Sequence, residues 1–124
     1  MTIKEAINGV NSLVPNQYSD SQKLAWLSEL DRRIMREVIE THQHSEDIYF
    51  FGYDEDTDTE SETLLVPAPH DDIYIPWLMA QIELYNQEYS RYNNAASVFN
   101  EKYSAYINDY HASHLPITHG KIRW

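Results

Sequence analysis

The sequence has no cysteine and only three glycines among its 124 residues. Without cysteine the chain can form neither disulfides nor thiolate zinc sites, and so few glycines leave little material for a phosphate-binding loop or a strained nucleophile turn. No apolar run approaches the ~18 residues of a membrane span, and the N-terminal residues lack the apolar run of a signal peptide. We therefore expect a protein that is not an enzyme and that is made and assembled in the cytoplasm.

Basic residues are also scarce, with nine lysines and arginines against twenty acids and a formal net charge of −11. Such a surplus repels nucleic acid and anionic lipid, which argues against nonspecific DNA binding and membrane binding. Tyrosine is abundant, with ten copies against three phenylalanines and three tryptophans, and it suits half-buried surfaces. The length fits one domain, residues 1–124, which we expect to act through protein contacts.

Helical spacing of apolar residues predicts a helix over 3–14, which ends because Pro15 cannot continue it. Ser19 and Gln22 have the form of a capping box and predict the start of a second helix over 20–42. The predicted fold is mainly α, a helical bundle with one very long C-terminal helix and a small β-hairpin or long loop inserted at 43–70.

The inserted segment 43–70 has an acidic tract between two apolar runs. Thr59 replaces the glycine of a calcium loop and Leu65 replaces its last glutamate, so a solvated loop is favoured over a calcium site. We predict that this inserted segment contacts a neighbouring molecule. The acidic residues of the tract are Asp54, Glu55, Asp56, Asp58, Glu60 and Glu62.

The strongest pattern is a stripe of apolar residues spaced alternately by three and four positions. Its members are Ile75, Leu78, Ile82, Tyr85, Tyr89, Tyr92, Ala96, Phe99, Tyr103, Tyr106 and Tyr110. A helix over 73–111 would be roughly 58 Å long, far beyond a compact chain's radius of gyration of about 14 Å, so it must project or break. Asn93 and Asn94 form the favoured break, but the stripe keeps its phase across them, which predicts one continuous helix.

Six of the eleven stripe positions are tyrosine, which a dry core rarely chooses because each hydroxyl needs a partner. The stripe therefore predicts a seam between helices or between subunits, with packing onto the first two helices as the plainer alternative. The predicted seam residues are Tyr85, Tyr89, Tyr92, Phe99, Tyr103, Tyr106 and Tyr110.

The C-terminal tail, 115–124, carries apolar residues on a segment predicted not to be helical. Apolar side chains on such a segment contribute to stability or binding only when another protein surface buries them. Either the domain's own core covers them or a partner does. The candidate docking residues are Leu115, Pro116, Ile117, Ile122, Arg123 and Trp124.

Two histidine pairs have spacings that could bring imidazoles together, His42 with His44 and His111 with His114. Neither pair has a third ligand within reach in the sequence, and histidine is favourable at a helix C-terminus without any metal. The sequence therefore predicts no metal and no cofactor.

Two charged clusters also have plain structural explanations. Asp71 and Asp72 could be paired catalytic carboxylates, but their place at a predicted helix start favours capping. Arg32, Arg33 and Arg36 could hold a phosphate or carboxylates, but acidic neighbours at helical spacing favour a solvated, salt-bridged face. No catalytic residue is predicted.

The segments LVPAP at 65–69, DIY at 72–74, EYSRYNN at 88–94 and FN at 99–100, with Tyr103, resemble small proteins encoded beside capsid genes in tailed phages and prophages of Gram-positive hosts. These proteins look like head–tail connector (adaptor or neck) proteins. The resemblance runs from about Trp26 to His114, and its most specific part is Tyr92-Asn93-Asn94 inside the predicted long helix.

The resemblance implies a structural virion protein that forms a ring, typically of twelve copies, between the portal and the stopper or tail-completion protein. It implies that DNA passes through the ring's channel without specific binding, with the acidic tract facing the channel or a partner. It also implies that the protein is located at the head–tail interface of the virion. We expect the C-terminal tail to dock on the portal. Two alternatives remain: a small acidic monomeric module that mimics DNA with residues 54–62, and a metal-dependent enzyme.

Overall fold

A computed structural model describes residues 1–42, 50 and 52–115. This part of the chain is mainly helical, as predicted. Its α-helices are α1 (Ile3–Leu13), α2 (Asp20–Ile34), α3 (Tyr74–Tyr85) and α4 (Tyr89–Ser113). A π-helical turn, Met35–Ile39, extends α2, and a 3-10 turn, His70–Ile73, leads into α3.

Local signals set the ends of the first two helices. A capping box starts α1: the Thr2 N–H donates to Glu5 Oε1 at 2.8 Å and the Glu5 N–H donates to Thr2 Oγ1 at 3.2 Å. The helix ends immediately before Val14 and Pro15. Ser19 Oγ accepts from the Gln22 N–H at 3.1 Å and caps α2, so the Ser19 half of the predicted capping box is present.

The predicted continuous helix over 73–111 is wrong, because residues 86–88 separate α3 from α4. The Gln87 N–H donates to Leu84 O at 3.0 Å and the Glu88 N–H donates to Glu83 O at 2.9 Å. With Gln87 at φ +60°, these bonds form a Schellman motif that ends α3 and reverses the chain.

The favoured break at Asn93 and Asn94 is also wrong, since both residues lie inside α4. The reversal folds the apolar stripe back on itself, so that Leu78 and Ile82 of α3 and Phe99 and Tyr103 of α4 enter one core. Burying the stripe within the chain removes apolar surface from water, whereas a projecting rod would leave it exposed.

Helix α1 lies close against α3. A Cβ added at Gly9 would sit 2.6 Å from Ile75 Cδ1, so only glycine permits this approach without a shift. The buried face of α1 is formed by Ile3, Ala6, Ile7 and Val10.

The described part of the inserted segment, 52–69, is a loop that packs beside the start of α1. The only β-type pairing of residues 52–69 with another described residue is an isolated antiparallel bridge between Thr2 and Thr63. The loop's carbonyls accept from the first helical amides, with Ile3 N–H to Glu62 O at 3.1 Å and Lys4 N–H to Thr59 O at 2.9 Å. No β-hairpin is present in 52–69, and residues 43–49 and 51 lie outside the described residues.

Asp71 and Asp72 do not cap α3, contrary to the prediction. Neither the 3-10 turn nor α3 has a side-chain cap. Asp71 instead accepts from the Met1 amine at 3.1 Å, and Asp72 pairs with Lys102 Nζ of α4 at 3.2 Å. Pro76 does lie in the first turn of α3, as predicted.

None of the helices within the described ranges is both long enough and apolar enough to cross a lipid bilayer.

Candidate partner-binding groove

An open groove of about 490 Å³ lies between the C-terminal end of α1, helix α3 and the first half of α4. Its walls are mainly apolar, with Glu83, Arg91 and Asn94 as the polar members, and they include side chains that remain exposed to solvent. The apolar wall is formed by Leu13, Val14, Pro76, Met79, Ala95 and Val98. This volume falls in the range of protein sites that bind small molecules or single side chains.

The sequence explains why the groove stays open. Because Pro15 ends α1, Leu13 and Val14 stand at the rim, and Leu13 is 61% exposed. On the opposite wall, Ala95 is buried where α4 contacts its neighbours, while Val98, one turn further on, is 43% exposed. Exposed apolar side chains that line a concavity are typical of surfaces that bind a partner.

Glu83, in the last turn of α3, is the charged residue buried in the groove wall. It is only 5% exposed, and its Oε2 atom accepts no hydrogen bond from any described residue. The nearest cation is Arg91 Nη1 at 4.0 Å, on a side chain that is itself 71% exposed. A buried carboxylate without a close partner is costly, so the groove favours an occupant that brings a hydrogen-bond donor or a positive charge.

An exposed aromatic corner lies where α3 turns into α4. Tyr85 and Tyr89 are each 59% exposed. The Tyr85 ring packs against Trp26 of α2 at a centroid distance of 5.3 Å, and Tyr18 donates to Asn86 Oδ1 at 2.8 Å across the turn. Rings that are fixed on one face and exposed on the other are common at protein interfaces.

The structure divides the predicted tyrosine seam into a buried part and an exposed part. Phe99, Tyr103 and Tyr106 lie in the chain's own core, while Tyr92 and Tyr110 are half buried. The buried part is therefore a packing seam between helices within one chain. For the exposed Tyr85 and Tyr89, a role between subunits stays a prediction.

Ring contacts connect the buried part of the seam. The centroid distance is 5.2 Å between Trp77 and Phe99 and 5.3 Å between Phe99 and Tyr103. Arg33 lies 4.9 Å above the Tyr103 ring and bonds Glu37 at 2.9 Å. Burial raises the pKa of Tyr103 to about 12, so the ring stays neutral and keeps its hydroxyl as a donor to Glu37.

The predicted acidic tract is exposed throughout its six acidic residues. Two of its carboxylates also form its turns, since Asp54 accepts from the Asp56 N–H at 2.9 Å and Asp58 accepts from Ser61 Oγ at 2.8 Å. The Ser61 hydrogen bond lowers the pKa of Asp58. No group of three or more His, Cys, Asp or Glu residues within 1–42, 50 and 52–115 has the arrangement of a metal site.

The predicted docking tail lies almost wholly outside the described residues. Only Leu115 is described, and its side chain is 68% exposed. The docking role of Pro116, Ile117, Ile122, Arg123 and Trp124 stays a prediction.

Sequence reasoning missed a buried carboxylate in α2, Asp31. Its Oδ1 accepts from the Tyr74 hydroxyl at 2.6 Å, and its Oδ2 accepts from the Leu65 N–H at 3.0 Å and from the Tyr53 hydroxyl. The Tyr74 hydroxyl in turn accepts from the Val66 N–H at 2.8 Å. Burial is the main reason that the pKa of Asp31 is raised. A partial signal was available, since Asp31 lies one turn after Leu27 on a buried face of α2 that also carries Lys23 and Ser28.

Sequence reasoning also missed Glu83, which follows Ile82 of the stripe and carries no motif of its own. Comparison with protein-family models, with curated proteins and with solved structures finds no match to this chain. The groove, the exposed aromatic corner and the acidic loop are therefore interpreted from their own geometry.

Proposed function

We propose that this chain is a structural virion protein, a head–tail connector that forms a ring between the portal and the stopper or tail-completion protein. The observation that carries the proposal is the mainly apolar groove with the buried Glu83 Oε2 atom, which has no hydrogen-bond partner among the described residues and so favours a protein contact. The resemblance of segments within 65–100 to adaptor proteins supplies the particular assembly and its expected twelvefold ring.

A ring requires two different surfaces on each subunit, because identical copies related by rotation meet through a heterologous contact. The groove supplies one of these surfaces. The other is a surface of the next subunit that presents apolar side chains and a lysine or arginine to Glu83. The aromatic corner at Tyr85 and Tyr89 extends the apolar area of the same region, since Glu83 and Tyr85 share the last turn of α3.

The exposed acidic tract fits the channel of such a ring. Its carboxylates point outward from a loop that is folded onto the start of α1. A wall of negative charge repels the phosphate backbone, so DNA passes through without sticking.

Co-sedimentation with the portal dodecamer from the same phage neighbourhood tests the proposal, with electron microscopy to detect an added ring. We expect the native chain to add a ring of density and Val98→Asp to abolish it, because the new carboxylate lies in an apolar wall beside Glu83. Circular dichroism should show Val98→Asp folded, since Val98 is partly exposed.

Glu29→Gln, a charge change on an exposed face of α2, is the matched control and should leave the ring intact. No binding of the native chain at micromolar concentration would overturn the adaptor proposal. A ring that forms equally well with Val98→Asp would retain the adaptor and remove the groove from its interface.

A second candidate function is a monomeric acidic module that occupies the DNA site of a basic partner. The observation in its favour is the exposure of all six carboxylates in one ordered loop. Such a module displaces DNA from the partner without a portal, and neutralising Asp56, Glu60 and Glu62 would remove that activity. The same triple change would leave ring formation through the groove intact.

A further inference from the structure

Two histidines that are distant in sequence meet at one end of the helical bundle. His42 follows the π-helical extension of α2, and His111 lies in the last turn of α4. His42 Nε2 is 3.2 Å from His111 Nδ1, and the two rings are nearly perpendicular. The pairs suggested by sequence spacing are not the ones formed: His114 stacks on Tyr110 instead, and His44 lies outside the described residues.

The hydrogen bonds of His42 fix its protonation pattern. Its Nδ1 atom lies 2.8 Å from the Val38 carbonyl oxygen, which can only accept, so Nδ1 carries the proton and Nε2 presents a lone pair toward His111. The Thr41 hydroxyl lies 3.0 Å from the same Nδ1 and helps to hold the ring. An imidazole whose second nitrogen donates to a backbone carbonyl has the support that metal-bound histidines usually have.

The separation of the two nitrogens suits a shared metal ion. Two imidazoles bound to zinc at 2.0–2.1 Å with tetrahedral angles place their nitrogens about 3.3 Å apart. The observed 3.2 Å is within the change that small ring rotations produce. His42 is 8% exposed while His111 is exposed, so the pair has a rigid inner ligand and an outer ligand open to solvent.

We propose that His42 Nε2 and His111 Nδ1 form a two-histidine site for a divalent transition-metal ion of the zinc, nickel or copper type. On binding, the proton on His111 Nδ1 moves to its Nε2, so both ligands are neutral imidazoles and no net proton is lost. Water completes the coordination, because the described residues bring no third His, Cys, Asp or Glu to the pair. Two protein ligands predict micromolar rather than nanomolar affinity.

The ion would join the end of the α2 extension to the end of α4, two segments that are 69 residues apart in the chain. A ligand that binds only the folded state raises its stability by mass action. The site is independent of the groove, and the proposal does not rest on the connector function.

Isothermal titration of the full chain with Zn²⁺ and with Ni²⁺, in a buffer that does not coordinate metals, tests the site. We expect one ion per chain, a raised melting temperature, and perturbed imidazole ¹⁵N signals from His42 and His111. His111→Gln should weaken binding by about tenfold or more, since one of the two ligands is lost. Because His111 is exposed, this variant should fold even if His42→Gln does not.

His114→Gln and His70→Gln are the matched controls and should bind as the native chain does. Absence of binding at submillimolar metal would overturn the proposal. So would binding that His111→Gln leaves unchanged, or binding that His114→Gln weakens equally, since either result would assign the ion to other residues.

Discussion

Asp31 and Glu83 are both buried carboxylates on helices, yet their surroundings are opposite. Asp31 is fully buried and accepts hydrogen bonds from two tyrosine hydroxyls and one backbone amide. Glu83 is nearly as buried, but its Oε2 atom has no hydrogen-bond partner among residues 1–42, 50 and 52–115, and its one ion-pair contact there is a long one to Arg91. The two carboxylates are therefore buried to a similar extent but differ in the hydrogen bonds that they accept.

The partners of Asp31 show what it does. They come from α3 and from the loop that connects α2 to α3, so this one side chain ties three parts of the chain together. Glu83 makes no contact of comparable strength, since its ion pair with Arg91 is 4.0 Å long and the Arg91 side chain is exposed. The first carboxylate joins parts of the fold, whereas the second makes no hydrogen bond through its Oε2 atom within the described residues, and our proposal assigns it to a partner.

Of the substitutions that test this contrast between Asp31 and Glu83, Asp31→Ala should have the largest effect on stability. The substitution leaves the Tyr74 and Tyr53 hydroxyls and the Leu65 N–H without their acceptor, and should lower the free energy of unfolding by about 3 kcal/mol. Urea denaturation followed by circular dichroism measures the loss. Glu29→Ala, an exposed acid in the same helix, is the control. A loss for Asp31→Ala no larger than that of the control would contradict the anchoring role.

An intermediate effect is expected in the pH dependence of stability. The pKa of Asp31 is raised above 3.8 by burial, so the folded protein keeps this proton to a higher pH than the unfolded chain does. The stability contributed by Asp31 should therefore fall as pH rises from about 4 through its folded pKa, by about 1.4 kcal/mol for each unit of elevation.

The measurement compares the free energies of unfolding of the native chain and Asp31→Asn between pH 4 and pH 7. The advantage of the native chain should shrink as pH rises. An advantage that grows instead would show that the three hydrogen bonds outweigh burial and hold the pKa below its ordinary value.

The smallest expected effect on stability is that of Glu83→Gln. The amide keeps the shape of the side chain and removes a buried charge that has no close partner, so the free energy of unfolding should stay within about 0.5 kcal/mol or rise. Thermal and urea denaturation measure it, with Arg91→Gln as the matched control. A loss above about 1 kcal/mol in Glu83→Gln would mean that the carboxylate stabilises the fold after all.

The helix starts and ends that could be predicted are those set by local chemistry. Pro15 ends α1, Ser19 caps α2 and Pro76 lies in the first turn of α3, because each acts on backbone groups within one turn of itself. The end of α3 was missed because Gln87 occupies the left-handed position that glycine usually fills. The unbroken 3–4 spacing of apolar residues gives no sign that a glutamine between them adopts the left-handed conformation.

The groove and the histidine pair could not be predicted because their residues meet only in the folded chain. Leu13 and Val98 face one space since α1 and α4 both pack on α3, an arrangement that no single segment encodes. Sequence spacing paired His42 with His44, two residues away, although its neighbour in the folded chain is His111. Asp31 could have been noticed as an acid on a mainly apolar helix face, but its donors come from residues 53, 65 and 74.

The turn at Gln87 has a consequence for how copies of this chain could share their helices. The 3–4 spacing of the stripe runs unbroken in the sequence through the turn, and residues 86–88 link the two halves that pack together in the fold. If residues 86–88 became helical, the same side chains would line a single rod, and each half would find its match on another copy. Short links of this kind are the points at which proteins exchange domains. Straightening this link would therefore favour the exchange of α4 between two copies over the closed hairpin of one chain.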